Sequence, residues 1–199
     1  RKTTTYQEEF ERASRIITVS EFSREEIIDA FKASRDQVRA IYPGINHDRY
    51  RKIAVEDARP VLERFGISKP FFVYIGRLEL KKNVELILRA FMQARPNAEL
   101  ILAGPPGFGH EELLKLAETS EIASAIHFVG YITEDEKVAL LSSAAALIHP
   151  TWYEGFGITI VEAMACHCPV LCSDTASLPE VAGRAHAQWF NPANVPALA

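Results

Sequence analysis

Long apolar runs, clustered positive charge, internal repeats and low-complexity tracts are all missing from this 199-residue sequence. No stretch approaches the ~18 apolar residues of a membrane-spanning helix, and Arg1-Lys2-Thr3-Thr4 is not followed by the apolar core of a secretory signal. A cytosolic chain is therefore expected. Cysteine is scarce: Cys166, Cys168 and Cys172 are odd in number and crowded together, which excludes a disulfide framework. His167 lies between two of them, yet Pro169-Val170-Leu171-Cys172 reads as a buried strand that turns Cys168 and Cys172 to the side of Val170. The thiols thus read as small buried hydrophobes and not as zinc ligands. Basic charge is in deficit, since 22 Lys and Arg against 26 Asp and Glu leave a net charge of −4. With no long basic run, a dedicated nucleic-acid binder is disfavoured, and the expected partners are small molecules or protein.

What is present fits an ordinary globular protein. Apolar residues make up 48% and charged residues 24% of the chain, enough to bury a sizeable core, and disorder, collagen and coiled coil are excluded. The first residue is not Met, and Val195 to Ala199 read as the start of a helix, so the sequence is expected to be a piece of a longer protein.

Short apolar runs alternate with longer amphipathic stretches, the rhythm of strand-helix units that build a parallel sheet. Strands are predicted at 16–19, 38–41, 71–75, 100–103, 126–129, 145–148 and 170–172. Most are apolar throughout, as strands covered on both faces must be. Helices are predicted at 25–33, 84–94, 111–118, 134–142 and 158–166. Ser23 with Glu26 three residues later forms a capping box for the first, and Thr133 before Glu134-Asp135-Glu136 caps another. Tyr42-Pro43-Gly44-Ile45-Asn46 is turn chemistry, followed by a polar stretch to Pro60 and then the helical Val61-Leu62-Glu63-Arg64-Phe65. Residues 1–42 accordingly read as the closing strand-helix-strand of a preceding domain, 43–60 as a linker, and 61–199 as a second domain. The expected class is α/β, a Rossmann-like parallel sheet flanked by helices.

In such a sheet, ligands bind beyond the carboxyl ends of the strands. Three of the loops there are rich in glycine: Gly76-Arg77-Leu78-Glu79-Leu80-Lys81-Lys82-Asn83, Gly104-Pro105-Pro106-Gly107-Phe108-Gly109, and His149-Pro150-Thr151-Trp152-Tyr153-Glu154-Gly155-Phe156-Gly157. In the last, Gly155 and Gly157 let backbone N–H groups approach a ligand, and the helix that opens at Ile158-Thr159 presents free N–H groups and its positive end to an anion. This is a phosphate cradle without a Walker lysine. Arg77 and Lys82, five residues apart at the mouth of the same sheet, can supply the missing charge; the competing reading, as ordinary solvated surface cations, is the weaker one on the sequence pattern. Glu154 and Glu162 would lie ~12 Å apart along a helix if both were helical, which suits two ends of one elongated ligand. It does not suit an acid and base acting on one bond at ~5–9 Å. Glu162 sits among Val161, Ala163 and Ala165, so its carboxylate needs a partner if buried.

Together, Gly76-Arg77-Leu78 with Lys82, Phe128-Val129-Gly130-Tyr131, the run from Glu154-Gly155-Phe156-Gly157-Ile158-Thr159 through Glu162-Ala163-Met164-Ala165-Cys166, Pro169-Val170 and Leu178-Pro179-Glu180-Val181 resemble the family-4 retaining glycosyltransferases of the GT-B fold (glycosyl transferases group 1). The resemblance covers roughly residues 38–192. His167 and Cys168 stand where that family often has Gly-Thr, and Ser20 matches the last strand of its N-terminal domain. The resemblance implies the C-terminal half of a GT-B fold, which binds a nucleotide-sugar donor such as GDP-mannose or a UDP-sugar. The glycan or lipid-linked acceptor would bind mainly to the absent N-terminal domain, leaving this chain inactive alone. It implies that Arg77 and Lys82, with Gly76, hold the diphosphate, Glu154 the sugar hydroxyls and Glu162 the ribose. Gly155, Phe156 and Gly157 would carry the loop that approaches sugar and phosphate, Ile158 and Thr159 the phosphate-facing helix start, and Gly130, Tyr131 and Ile132 the flank of the nucleobase. Catalysis would fall to Glu154, Arg77 and Lys82. No Asp-x-Asp occurs in the sequence, which agrees with the absence of a metal or other cofactor. A cytoplasmic enzyme associated peripherally with the inner face of a membrane is implied. A GT-B sugar-nucleotide epimerase or a sucrose-phosphate-type phosphatase partner domain, and a non-catalytic nucleotide-sugar-binding module, are the alternative readings. The Glu154 to Glu162 motif argues against the first, and the joint presence of Arg77, Lys82, Glu154 and Glu162 against the second.

Overall fold

A computed structural model describes residues 2–199. The chain begins with α1 (Lys2–Arg12), β1 (Ile16–Thr18), α2 (Glu21–Phe31) and β2 (Val38–Ala40). Strands β1 and β2 pair in parallel with each other, Ile16 opposite Val38, and not with the main sheet. Then follow α3 (Val55–Arg64), β3 (Phe71–Ile75), α4 (Val84–Ala94), β4 (Glu99–Ala103), α5 (His110–Glu118) and β5 (Ile126–Gly130). The chain continues with α6 (Glu134–Ser143), β6 (Ala146–His149), α7 (Ile158–Ala165), β7 (Val170–Ser173), α8 (Leu178–Ala182) and β8 (Gln188–Phe190).

The six strands from β3 onward form one parallel sheet in the order β5-β4-β3-β6-β7-β8. Successive side chains in its strands enter opposite core layers. Val73, Ile75, Ile101, Ala103 and Leu147 pack into one, with the inner faces of α6 and α7. Tyr74, Leu100, Leu102 and Ile148 pack into the other, with α4 and α5. All five residues of β4 are buried, and each fully buried Leu or Ile of this kind contributes roughly 1.5–3 kcal/mol. The one charge among them, Glu99, accepts hydrogen bonds from the Ser68 backbone N–H at 3.0 Å and the Ser68 hydroxyl at 3.2 Å. Cys168 and Cys172 lie in the same layer as Val170, and all three thiols are free and buried, as the strand alternation predicted.

Every predicted strand is present to within one residue at either end, and the three-residue β8 is an addition. Two helix expectations need correction. The first helix starts at Glu21, four residues before the predicted start, and its N-cap is Ser20 and not Ser23: the Ser20 hydroxyl accepts from the Ser23 N–H at 3.0 Å. Two more of its free N–H groups, those of Glu21 and Phe22, donate to the Glu180 carboxylate at 2.7 and 3.0 Å. That partner lies in α8, beyond the reach of any local pattern. The stretch expected as linker up to residue 60 turns helical at Val55, so Pro60 falls inside α3. There it withholds one backbone hydrogen bond, and the helix is held instead by packing against α6. Thr133 caps α6 as predicted, in a capping box closed by Glu136.

The order of the sheet reverses between β3 and β6, since β4 and β5 extend to one side and β7 and β8 to the other. The loops that leave β3 and β6 therefore emerge side by side at the switch point, where a sheet of this kind carries its ligand crevice. Close backbone approach shapes its rim. A Cβ on Gly104, whose φ is +144°, would lie 1.9 Å from the Gly76 carbonyl oxygen, and the Gly104 N–H donates to the Gly130 carbonyl at 2.7 Å.

Candidate functional site

The loop after β3 tightens into a single 3-10 turn, Leu80–Lys82, closed by Asn83 in the left-handed region at φ 58°. The Asn83 amide donates to the carbonyl of Pro150 at 3.0 Å and to that of Pro192 at 2.9 Å. It thus ties the β3 loop to the segments following β6 and β8. This anchor sets Lys82 against the β6 loop, where its ammonium donates to Glu154 Oε2 at 2.7 Å. His149, the last residue of β6, brings Nε2 to 3.7 Å from the same oxygen. The imidazole and the Lys82 ammonium together hold the Glu154 carboxyl at about 2, against the opposing effect of burial. At 3.7 Å the histidine acts by electrostatic approach and not by a hydrogen bond, so Lys82 is the firmer anchor. Both ring nitrogens of His149 are buried without a hydrogen-bond partner among the described residues. A polar ring with spare capacity beside a half-buried ion pair is what a polar ligand can complete.

The rest of the β6 loop is fixed from outside the sheet. The Ser177 hydroxyl donates to the Glu154 carbonyl at 2.8 Å and the Ser20 hydroxyl to the Gly155 carbonyl at 2.7 Å. Phe156 is buried, with its ring 6.1 Å from that of Tyr42. The loop ends at Gly157, whose φ of +84° and approach to Leu178 leave no room for a side chain. Among the described residues no side chain caps α7, and Ile158 at its first position is exposed. Its leading N–H groups and dipole form an uncapped positive end directly after the β6 loop.

The predicted residues therefore divide into groups. Lys82 and Glu154 meet as an ion pair between the β3 and β6 loops, and Gly155, Gly157, Ile158 and Thr159 continue from Glu154 through the rest of that loop into the start of α7. Arg77 leaves the adjacent Gly76 turn exposed and without an ion pair among the described residues, its stem against Gly107. Gly130, at φ +71°, turns the chain out of β5, leaving Tyr131 77% exposed and Ile132 buried. Phe156 offers its backbone only, because its ring is committed to packing.

Glu162 lies outside the Lys82–Glu154 cluster. Projecting from the second turn of α7, it is buried and meets Lys137 of α6, whose ammonium is 3.2 Å from Oε2. Lys137 also donates to the Tyr50 hydroxyl at 3.0 Å and to Glu134 at 3.1 Å, and Tyr50 donates to Glu134. Sequence reasoning anticipated that Glu162 needs a partner but missed Lys137, Tyr50, Glu134 and Asn83. Lys137 follows three acids in a helix's first turn and reads there as a solvated i, i+3 partner. Nothing local marks it as facing another helix.

A parallel, doubly wound sheet with charged loops at the point of strand reversal defines a Rossmann-like α/β domain. The family of glycosyl transferases group 1 matches residues 62–199, and the chain belongs to it. The chain is 35% identical over 183 residues to O-antigen chain mannosyltransferase B of Escherichia coli, a match covering 89% of this chain and 48% of that protein. It is 30% identical over 196 residues to the serotype-specific mannosyltransferase WbdA of the same species, covering 94% of this chain and 24% of that one. The chain thus spans about half of the first relative's length and about a quarter of the second's. Among solved structures, HepE of Anabaena in complex with UDP-glucose superposes with a TM-score of 0.85 at 23% identity, over 94% of this chain and 52% of that one. A glycosyltransferase of Rickettsia africae superposes at 0.87 with 16% identity, over 98% and 55%. The fold is the Rossmann-like unit of GT-B glycosyltransferases.

Proposed function

We propose that the protein transfers a sugar from a nucleotide-sugar donor, GDP-mannose or a UDP-sugar, to a glycan or lipid-linked acceptor with retention of configuration, and that this chain is the donor-binding part. The Lys82–Glu154–His149 cluster at the strand reversal, in front of the uncapped start of α7, carries this reading. The Lys82 ammonium has three N–H donors and spends one on Glu154, so it can hold that carboxylate and a phosphate oxygen together. Arg77, exposed across the same turn, supplies a second cation. Each cation ~4 Å from a phosphate oxygen contributes about 4 kcal/mol at an effective dielectric of ~20. Glu154, ionised and fixed, accepts the sugar hydroxyls, Glu162 the ribose hydroxyls, and the segment Gly130 to Ile132 flanks the base. That HepE has been captured with UDP-glucose supports a donor of this class, and the mannosyltransferase relatives favour mannose.

In the proposed step the bond between the sugar's anomeric carbon and the diphosphate oxygen breaks, negative charge builds on the diphosphate, and positive charge builds on the sugar. Arg77, Lys82 and the α7 N–H groups stabilise the leaving diphosphate, which is the main lever on the barrier. An acceptor hydroxyl attacks from the same face and gives its proton to the departing phosphate oxygen. These groups replace a metal in the proposal. The acceptor half would lie on an N-terminal domain ending in the β1-α2-β2 unit, with the full-length enzyme at the cytoplasmic face of a membrane. No helix among the described residues is long and apolar enough to cross one.

Calorimetry with UDP, GDP and ADP tests the donor site. One of the three should bind, and Lys82→Ala should weaken it roughly tenfold to a hundredfold. The chain alone should transfer no sugar. Heat from none of the three, or transfer by the chain alone, would sink the reading.

A further inference from the structure

Glu162 is buried, yet among the described residues its carboxylate receives hydrogen bonds from one side-chain group only, the Lys137 ammonium, 3.4 Å from Oε1 and 3.2 Å from Oε2. Two carboxylate oxygens offer about four acceptor positions. A single donor leaves capacity for two ligand hydroxyls. Lys137 is itself held from two further sides, by the Tyr50 hydroxyl at 3.0 Å and Glu134 at 3.1 Å, so all three of its N–H groups are committed. Its side chain is only 14% exposed. Burial opposes its charge, but Tyr50, Glu134 and Glu162 outweigh burial and hold it above the usual lysine range. Tyr50 precedes α3, Lys137 lies on α6 and Glu162 on α7, so three separate segments fix one ammonium.

We propose that Lys137 is a positioning residue for donor binding: braced by Tyr50 and Glu134, it holds the Glu162 carboxylate in place and aimed so that it accepts the ribose hydroxyls of the nucleoside diphosphate. This rests on the assignment of Glu162 to the ribose made above. Lys137 touches the carboxylate and not the nucleotide, and it acts by giving a buried carboxylate a fixed partner, which sets the direction in which its remaining acceptor positions point. Its removal should therefore be felt through the ribose hydroxyls and through no other part of the ligand.

The test is calorimetry on the wild type, Lys137→Met, Lys137→Arg and Glu162→Gln, with the tightest-binding of UDP, GDP and ADP and with its 2′,3′-dideoxy form. Lys137→Met should weaken the ribonucleotide roughly 10- to 100-fold. It should leave the dideoxy compound at wild-type affinity, which also shows that the variant is folded. Lys137→Arg should restore most of the loss, and adding Lys137→Met to Glu162→Gln should cost little more than Glu162→Gln alone. Equal weakening of both nucleotides, or an unchanged ribonucleotide affinity, would overturn the positioning role. Failure of the ribose assignment reads differently: the wild type itself would bind the two nucleotides equally, and both proposals would fall together.

Discussion

Glu154 and Glu162 are one residue type in two electrostatic settings, and the settings separate what each can do. Glu154 lies in a loop between a lysine and a histidine, with its carboxyl lowered to about 2 from an ordinary 4.5. Folding therefore favours the ionised form, and the stability it contributes is complete above pH 4.5 and disappears as pH falls toward 2. Glu154→Gln should cost about 2 kcal/mol at neutral pH by denaturant unfolding, after allowing for solvent reach. The wild-type and variant stabilities should converge across that acid window. In binding, Glu162→Ala should weaken the bare nucleoside diphosphate as much as the nucleotide sugar. Glu154→Ala should leave the diphosphate nearly intact while reducing turnover of the full-length enzyme, because in the proposed site Glu154 orients only the sugar. A tenfold loss of diphosphate affinity in Glu154→Ala would refute that division.

Helix α2 and the β6 loop are joined by a small set of polar contacts that belong to neither element alone. Ser20 both caps α2 and donates to the Gly155 carbonyl, while Glu180 of α8 accepts the next two N–H groups of α2. Burial raises the Glu180 carboxyl, but Tyr42 and the two N–H donors prevail and lower it. Losing an N-cap costs ~1 kcal/mol, and a hydrogen bond to a charged group ~1.5–3 kcal/mol. Ser20→Ala should thus destabilise the protein by about 1–2 kcal/mol, and Glu180→Gln by a similar amount, both measurable as shifts in the denaturation midpoint. Because Ser20 also holds the backbone of Gly155, Ser20→Ala should in addition weaken nucleotide-sugar binding more than bare diphosphate binding. Gly157→Ala is expected to be worse than either, since it combines positive φ with a Cβ 2.9 Å from Leu178.

Over the whole molecule, a parallel sheet buried on both faces provides a rigid floor, and the crevice chemistry is hung on loops at one of its ends. Binding to the native state alone should raise the melting temperature in proportion to affinity, so a thermal-shift panel of UDP-, GDP- and ADP-sugars should pick out the base. Nucleotide binding and full-length transfer should survive EDTA, since the proposed diphosphate site is made of Arg77, Lys82 and a helix end. Loss of activity in EDTA with recovery on adding magnesium or manganese would refute this.

Hydrophobic period and turn chemistry are local, so the strands, α4, the Thr133 cap, the buried thiols and the glycine-bearing loops were legible in the amino-acid order. So were Lys82, Glu154 and Glu162 as charged residues in places where charge needs a reason. Strand order was not legible, because any parallel arrangement accepts the same apolar runs, and it is strand order that brings the β3 and β6 loops together. The start of α2 and the turn into α3 at Val55 were misread for the same reason: their support comes from Glu180 and from α6, far along the chain. The pairing of Glu154 with Lys82 and His149, and of Glu162 with Lys137 and Tyr50, arose when the sheet reversed direction between β3 and β6 and α6 packed beside α7. A carboxylate's charge is written in the sequence, whereas its partner is whichever cation the folded chain places within about 3 Å of it.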